Sequence, residues 1–166
     1  MANKTLVGYA TKYGSTQEVA SFIADVLRET GGDVELQELS EVKSLEGYHA
    51  VVMGAPFYMF KWLKDAPKFL SRFQNTLEKM PVAVFALGPT DADETPENNP
   101  EVFEQLDKAL ADFPWLEPVD QVLFGGKFDP AKLKFPMSLF MGKMPVSDIR
   151  DWDRIRSWAE EVNEKL

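Results

Sequence analysis

Two unbroken apolar runs, Ala50-Val51-Val52-Met53-Gly54 and Val82-Ala83-Val84-Phe85-Ala86-Leu87, constrain the fold of this chain more than any other feature. A strand with one wet face alternates apolar and polar residues, so a run without alternation needs cover on both faces. The neighbouring segments supply that cover. Val19, Phe22, Ile23, Val26 and Leu27 recur at helical spacing, as do Ala66, Phe69, Leu70 and Phe73 in a helix expected over about residues 63–77, where Pro67 is tolerable only near the first turn. Asn99-Pro100 reads as the cap and first residue of another helix, which buries Val102, Phe103, Leu106, Ala109 and Leu110. A last helix is expected from near Asp151, with Trp152, Ile155, Ala159 and Val162 inward.

Three further strands complete the alternation. Residues 5–10 are short and largely apolar, residues 33–39 alternate as an edge strand does, and about residues 119–124 form the fifth. Strands alternating with helices predict an α/β fold, in which a five-stranded parallel sheet lies between two helical layers as a three-layer sandwich. The elements fit the doubly wound order 2-1-3-4-5. The 166 residues suit one domain, 1–166, with a substantial core. In this topology ligands bind beyond the carboxyl ends of the strands, beside the first strand where the order reverses. The loops over residues 11–16, 55–62 and 88–99 should therefore share a site.

The first of these loops, with its flanks, is Tyr9-Ala10-Thr11-Lys12-Tyr13-Gly14-Ser15-Thr16, five hydroxyl groups and a glycine where a strand becomes a helix. A helix N-terminus offers unpaired N–H groups and a positive dipole end, both suited to an anion. Thr11, Ser15 and Thr16 add hydroxyl donors, and Gly14 permits a tight turn with close approach to a ligand. The plainer alternative is that Ser15 or Thr16 only caps the helix. Neither the three-glycine dinucleotide fingerprint nor the triphosphate loop ending in Gly-Lys-Ser/Thr occurs here, which favours a monophosphate.

Composition removes other functions. With no cysteine, disulfides, thiolate metal sites and cysteine nucleophiles are excluded, and a lone histidine, His49, makes no histidine metal cluster. The net charge of −9 opposes nucleic-acid binding, which relies on basic surface. That charge either steers basic protein partners or serves solubility. No signal pattern and no membrane-spanning apolar run stands in the sequence, so a cytoplasmic protein is expected. A phosphoryl-accepting receiver domain shares the layout, but it needs carboxylates where this chain has Ala10-Thr11-Lys12 and Met53-Gly54-Ala55.

The first loop resembles that of the flavodoxin family, a Thr/Ser-rich turn with one central glycine that wraps the phosphate of flavin mononucleotide (FMN). The resemblance implies a flavodoxin-like fold with Thr11, Lys12, Tyr13, Gly14, Ser15 and Thr16 around the phosphate, Lys12 being free to point to solvent. It also implies that Pro56, Phe57, Tyr58 and Met59 sit against the isoalloxazine. On the residues themselves, four aromatics in a loop call for an explanation, either stacking on a flat ring or filling the gap to the next helix, and Phe60 and Trp62 suit the second role. Gly88, Pro89 and Thr90 resemble the start of the family's second flavin loop, where backbone groups approach the pyrimidine edge. Its acids Asp91, Asp93, Glu94 and Glu97 are either solvated or raise the cost of placing negative charge on the ring. Residues 55–62 provide no glycine after Gly54 for the peptide flip by which flavodoxins favour one-electron-reduced flavin, so two-electron chemistry is expected.

One segment exceeds this plan. A direct strand-to-helix connection takes about 2 to 6 residues, yet a long insert at about residues 129–148, rich in Met, Phe and Lys, separates the fifth strand from the last helix. It reads as a cap over the site, an interfacial surface, or an ordinary helix packed on the sheet edge. Gly125-Gly126-Lys127-Phe128, the insert, and then Asp151-Trp152-Asp153 resemble the menaquinone-dependent protoporphyrinogen IX dehydrogenase branch of flavodoxin-like proteins. Three functions follow: an FMN-binding electron-transfer protein, a flavin-dependent protoporphyrinogen IX or quinone oxidoreductase, and a flavin-free interaction module. The partners implied are a redox protein or a quinone, with peripheral membrane contact through the insert.

Overall fold

A computed structural model describes residues 3–166. Its elements are β1 (Lys4–Tyr9), α1 (Ser15–Glu29), β2 (Asp33–Glu38), β3 (Tyr48–Tyr58), β4 (Lys61–Trp62), α2 (Asp65–Arg72), α3 (Gln74–Leu77) and β5 (Val82–Leu87). They continue with α4 (Pro100–Leu110), β6 (Asp120–Phe124), β7 (Lys127–Phe128), α5 (Met137–Met141), β8 (Ser147–Asp148) and α6 (Trp152–Asn163). Five parallel strands run in the order β2-β1-β3-β5-β6, and β4 adds a two-residue antiparallel pairing to the end of β3. Counted along the parallel strands this is the expected order 2-1-3-4-5.

The apolar runs behave as their lack of alternation demands. Val51, Met53 and Ala55 of β3, with Val82, Val84 and Ala86 of β5, join the core under α2 and α4. Val52, Ala83, Phe85 and Leu87 point the other way, into the core under α1 and α6. Gly54 lets Phe85 lie flat across β3, since a Cβ there would sit 2.2 Å from the ring. His49 is structural, its Nδ1 lying 3.1 Å from the carbonyl of Lys4.

Several local expectations need correction. The helix expected over residues 63–77 is broken into α2 and α3 at Phe73, whose φ of −108° leaves the helical range. Pro67 does fall in the first turn of α2, where its missing N–H costs no bond. Asn99 precedes α4 but makes no side-chain cap; its amide instead reaches Glu94 Oε1 at 3.5 Å. Phe103, Ala109 and Leu110 are only half-buried, whereas Gln105 is buried beside Val102 and Leu106. Trp152 is also half-buried, packed edge-on against Phe22 of α1 with centroids 5.1 Å apart. Asp151 caps α6 by accepting from the N–H of Arg154 at 3.0 Å.

Between β6 and α6 the chain does not form an ordinary helix on the sheet edge. β7 and β8 pair antiparallel as a short ribbon, Lys127 opposite Asp148 and Phe128 opposite Ser147. The strip between them holds a single turn at Pro130–Lys132 and the five-residue α5, none of whose side chains is buried.

Candidate functional site

Residues 11–16 form a cradle at the start of α1. Gly14 turns the chain at φ +94° and donates its N–H to Thr11 Oγ1 at 2.9 Å, so Thr11 shapes the loop from within. The first intrahelical bond is Glu18 N–H to Gly14 O at 3.2 Å, leaving the amides of Ser15, Thr16 and Gln17 without helical partners. Ser15 and Thr16 lie inside the helix and not at its cap, which is Gly14, so the capping alternative falls. Thr16 is fully buried and its hydroxyl has no hydrogen-bond partner. Buried hydroxyls are ordinarily satisfied. A donor left idle in the same turn as three free amides, at a positive helix end, is suited to a bound anion.

Beside the cradle opens a cavity of about 600 Å³. Of the expected site residues, Lys12, Tyr13, Ser15, Phe57, Tyr58, Met59, Gly88, Pro89 and Thr90 line it. Thr11, Gly14 and Thr16 stand behind the wall in the roles just described. Pro56 is buried within β3, paired in register with Leu87.

The hairpin at the end of β3 is built under strain. Phe57 pairs with Trp62 and Tyr58 with Lys61, so Met59 and Phe60 alone make the turn, at φ 50° and 64°. Two central residues at positive φ define a type I′ turn, a conformation that Asn-Gly ordinarily fills. Their side chains are exposed at the cavity mouth, Met59 by 88%. Phe60 therefore does not fill the gap behind the loop. Trp62 does, stacked on Phe57 at 5.9 Å with its Nε1–H donated to Ala55 O at 3.1 Å. Tyr58 meets Tyr13 edge-on at 5.7 Å, and Lys12 Nζ lies 5.4 and 5.6 Å from the two ring centres. Burial, then the neighbouring Tyr13, pushes the Tyr58 phenol up to about 12, which keeps it a neutral hydrogen-bonding group.

Of the acidic loop only Glu94 lines the cavity; Asp91, Asp93 and Glu97 are exposed, and Asp91 accepts the N–H of Asp93 in a local turn. The opposite wall comes from the connection between β6 and α6: Lys127, Phe128, Asp129, Lys132, Leu133, Met137 and Met141. The length of that segment signalled a cap, but its individual wall residues carried no motif. Its base is stitched down by Gly126 N–H to Pro89 O at 2.7 Å, Ile149 N–H to Gly126 O at 3.1 Å, and the Ser147 hydroxyl to Thr90 O. Arg150, with a side chain only 4% exposed, holds Glu18 at 2.9 Å and Asp148 at 2.8 Å and donates to Ser15 O at 3.3 Å. Its hydrogen bonds hold the Asp148 carboxyl below the usual range and raise the guanidinium in turn. Glu18, Val102 and Gln105 complete the wall from α1 and α4. A second cleft of about 640 Å³ on the far side of the hairpin shares Phe57, Phe60 and Gln105 but does not reach the cradle. Among the described residues no cluster of His, Asp or Glu is placed to hold a metal, and no helix is long and apolar enough to cross a membrane.

Residues 6–150 match the model of the flavodoxin domain. Protoporphyrinogen IX dehydrogenase [quinone] of Escherichia coli K12 is 24% identical, the match covering 96% of this chain and 94% of that protein. Oxidised flavodoxin 1 from Bacillus cereus superposes with a TM-score of 0.62 at 18% identity, covering 98% of this chain and 99% of the other. A flavodoxin from the domain Archaea superposes with a TM-score of 0.59 at 17% identity, covering 98% and 97%.

Proposed function

The chain belongs to the flavodoxin domain family, and from that membership we propose that it binds FMN and serves as an electron-transfer protein acting as one 1–166 unit. The observation that carries the reading is the idle buried hydroxyl of Thr16 in the same first helical turn as the free amides of Ser15, Thr16 and Gln17. In this reading the cradle of Thr11, Gly14, Ser15 and Thr16 holds the phosphate. Tyr58, Met59, Gly88, Pro89 and Thr90 flank the isoalloxazine in the cavity. Bound flavin supplies the capacity to accept and return electrons. The chain binds and orients it, and Phe128, Leu133, Met137 and Met141 give the wall from the 127–148 segment an apolar lining. No side chain is required as an acid, base or nucleophile. Titration of the purified protein with FMN and with riboflavin tests the reading. Saturable FMN binding that weakens when the phosphate is missing is expected, and failure to bind added FMN opposes it.

A second reading, a flavin-dependent oxidoreductase using a quinone or protoporphyrinogen IX, is favoured by one further observation. Every large exposed apolar side chain among the described residues belongs to one of two segments that wall the cavity, Met59 and Phe60 to the hairpin turn and Phe135, Met137, Leu139, Phe140, Met144 and Val146 to the strip between β7 and β8. Single exposed apolar residues are normal, but a cluster at a site mouth marks a contact surface. With Lys134 and Lys143 beside it, this rim suits the face of an anionic bilayer, where a lipid-soluble acceptor would be found. The Escherichia coli relative is described as acting with a quinone on protoporphyrinogen IX. Serine at Phe135, Leu139 and Phe140 together should leave FMN binding intact and reduce quinone turnover in vesicles; unchanged turnover removes the membrane contact.

A further inference from the structure

The strip between β7 and β8 is joined to the rest of the molecule by one hydrogen bond. Among the described residues 129–146, every other hydrogen bond is local: Asp129 to Ala131 and Lys132, Pro130 to Leu133, Lys134 to Ser138, and the turns of α5. The exception is Lys132, whose Nζ donates to the carbonyl of Tyr13 at 3.0 Å, across 119 residues of sequence. Tyr13 immediately precedes the cradle's turn. A Cβ built on Gly14 would lie 3.8 Å from the same Nζ, so the ammonium lies against the Tyr13–Gly14 turn that opens the cradle. Lys132 and Ser15 line one cavity.

The chemistry of this contact is incomplete as it stands. An ammonium has three donors, and a single neutral carbonyl engages one of them. No carboxylate pairs with Lys132 among the described residues, although the chain carries 27 acidic side chains. Arg150, which anchors the same segment, is satisfied by two carboxylates. A cation spared such a partner and placed at the turn that leads into the free helix amides is matched to a dianionic phosphate.

We propose that Lys132 is a binding group for the cofactor phosphate supplied by the 127–148 segment, and that the phosphate in return latches this segment shut over the ring. The proposal rests on the FMN reading. Coupling of this kind is reciprocal: if the closed segment adds a bond to the phosphate, the phosphate favours closure by the same factor. FMN and riboflavin then differ in two ways, in affinity and in their effect on the segment.

The test compares wild type, Lys132→Met and Lys132→Arg. Affinities for FMN and riboflavin are read from flavin fluorescence quenching, and the segment from chymotrypsin cleavage after Leu139 and Phe140 with FMN, riboflavin or no flavin. Loss of a charge-assisted bond predicts about a tenfold weaker FMN affinity in Lys132→Met with riboflavin unchanged, and Lys132→Arg should recover most of it. FMN, but not riboflavin, should slow cleavage of wild type, and this protection should vanish in Lys132→Met. The latch is overturned if Lys132→Met keeps the wild-type ratio of FMN to riboflavin affinity, or if riboflavin protects wild type as well as FMN does. Wild type that binds neither flavin overturns the FMN reading itself, and the latch with it.

Discussion

Replacing Thr16 by Val should move stability and affinity in opposite directions. The Thr16 side chain is fully buried and its hydroxyl unpartnered. A buried donor without a partner costs about 1–3 kcal/mol relative to a satisfied one. Valine has nearly the same shape and the same β-branch, so helix propensity changes by no more than a few tenths of a kcal/mol. Part of the gain is offset because a methyl group is larger than a hydroxyl in a packed site. The flavin-free variant is therefore expected to be more stable by about 1 kcal/mol, or ~2–4 °C in Tm for a domain of this size. FMN affinity should fall, since a hydrogen bond to a charged group contributes about 1.5–3 kcal/mol, equivalent to about 10- to 100-fold. Urea unfolding of flavin-free protein, followed by tryptophan fluorescence, gives the first quantity; titration with FMN gives the second. A variant that is less stable without flavin and binds FMN as wild type does would show that the hydroxyl serves packing, and the reasoning would fail.

Other consequences are equally direct. Reversing the Met59-Phe60 peptide in a type I′ turn would return Phe60 to negative φ but leave Met59 in a region open essentially to glycine. Met59→Gly should remove about 1–3 kcal/mol of that barrier and raise the fraction of one-electron-reduced flavin during stepwise reduction at neutral pH. Abundant blue one-electron-reduced flavin already in wild type, or no change in the variant, contradicts this. Asp148 is held below its ordinary pKa by the hydrogen bond from Arg150. Its contribution is complete above the ordinary carboxylate pKa of about 4 and is lost as pH falls through the lowered folded value. The stability gap between wild type and Asp148→Asn should therefore narrow in acid, measured by urea midpoints; a constant gap opposes the assignment. Gly54→Ala would drive a Cβ to 2.2 Å from the Phe85 ring, which is packed against Phe124 and Trp158. Overpacking of this kind costs about 1–3 kcal/mol, and an unchanged urea midpoint would show that the ring has room to move.

The sheet was legible because burial on both faces leaves no alternative reading of residues 50–54 and 82–87. The cradle was legible because hydroxyls and a glycine converge at a strand-to-helix junction. The less legible features depend on contacts distant in sequence or on competition between neighbours. Asn99 sits where a cap belongs, yet Glu94 five residues earlier engages its amide. Phe60 looked like gap filler, but the register of Phe57 with Trp62 puts it in the turn and outward. Lys132, Leu133 and Met137 reach the cavity because a two-residue ribbon and Arg150, bonded to Glu18 across 132 positions, fold the segment back. Two-residue strands have no detectable period, and an arginine alone does not reveal its partner. Length was the one available signal, and it indicated a cap without naming its wall.

The most direct test is to add FMN to the flavin-free protein and follow quenching of flavin fluorescence to saturation, with riboflavin in parallel. One FMN bound per chain, with clearly weaker binding of riboflavin, is the result predicted by a phosphate cradle at residues 11–16. No binding of FMN, or equal binding of the two flavins, would contradict it.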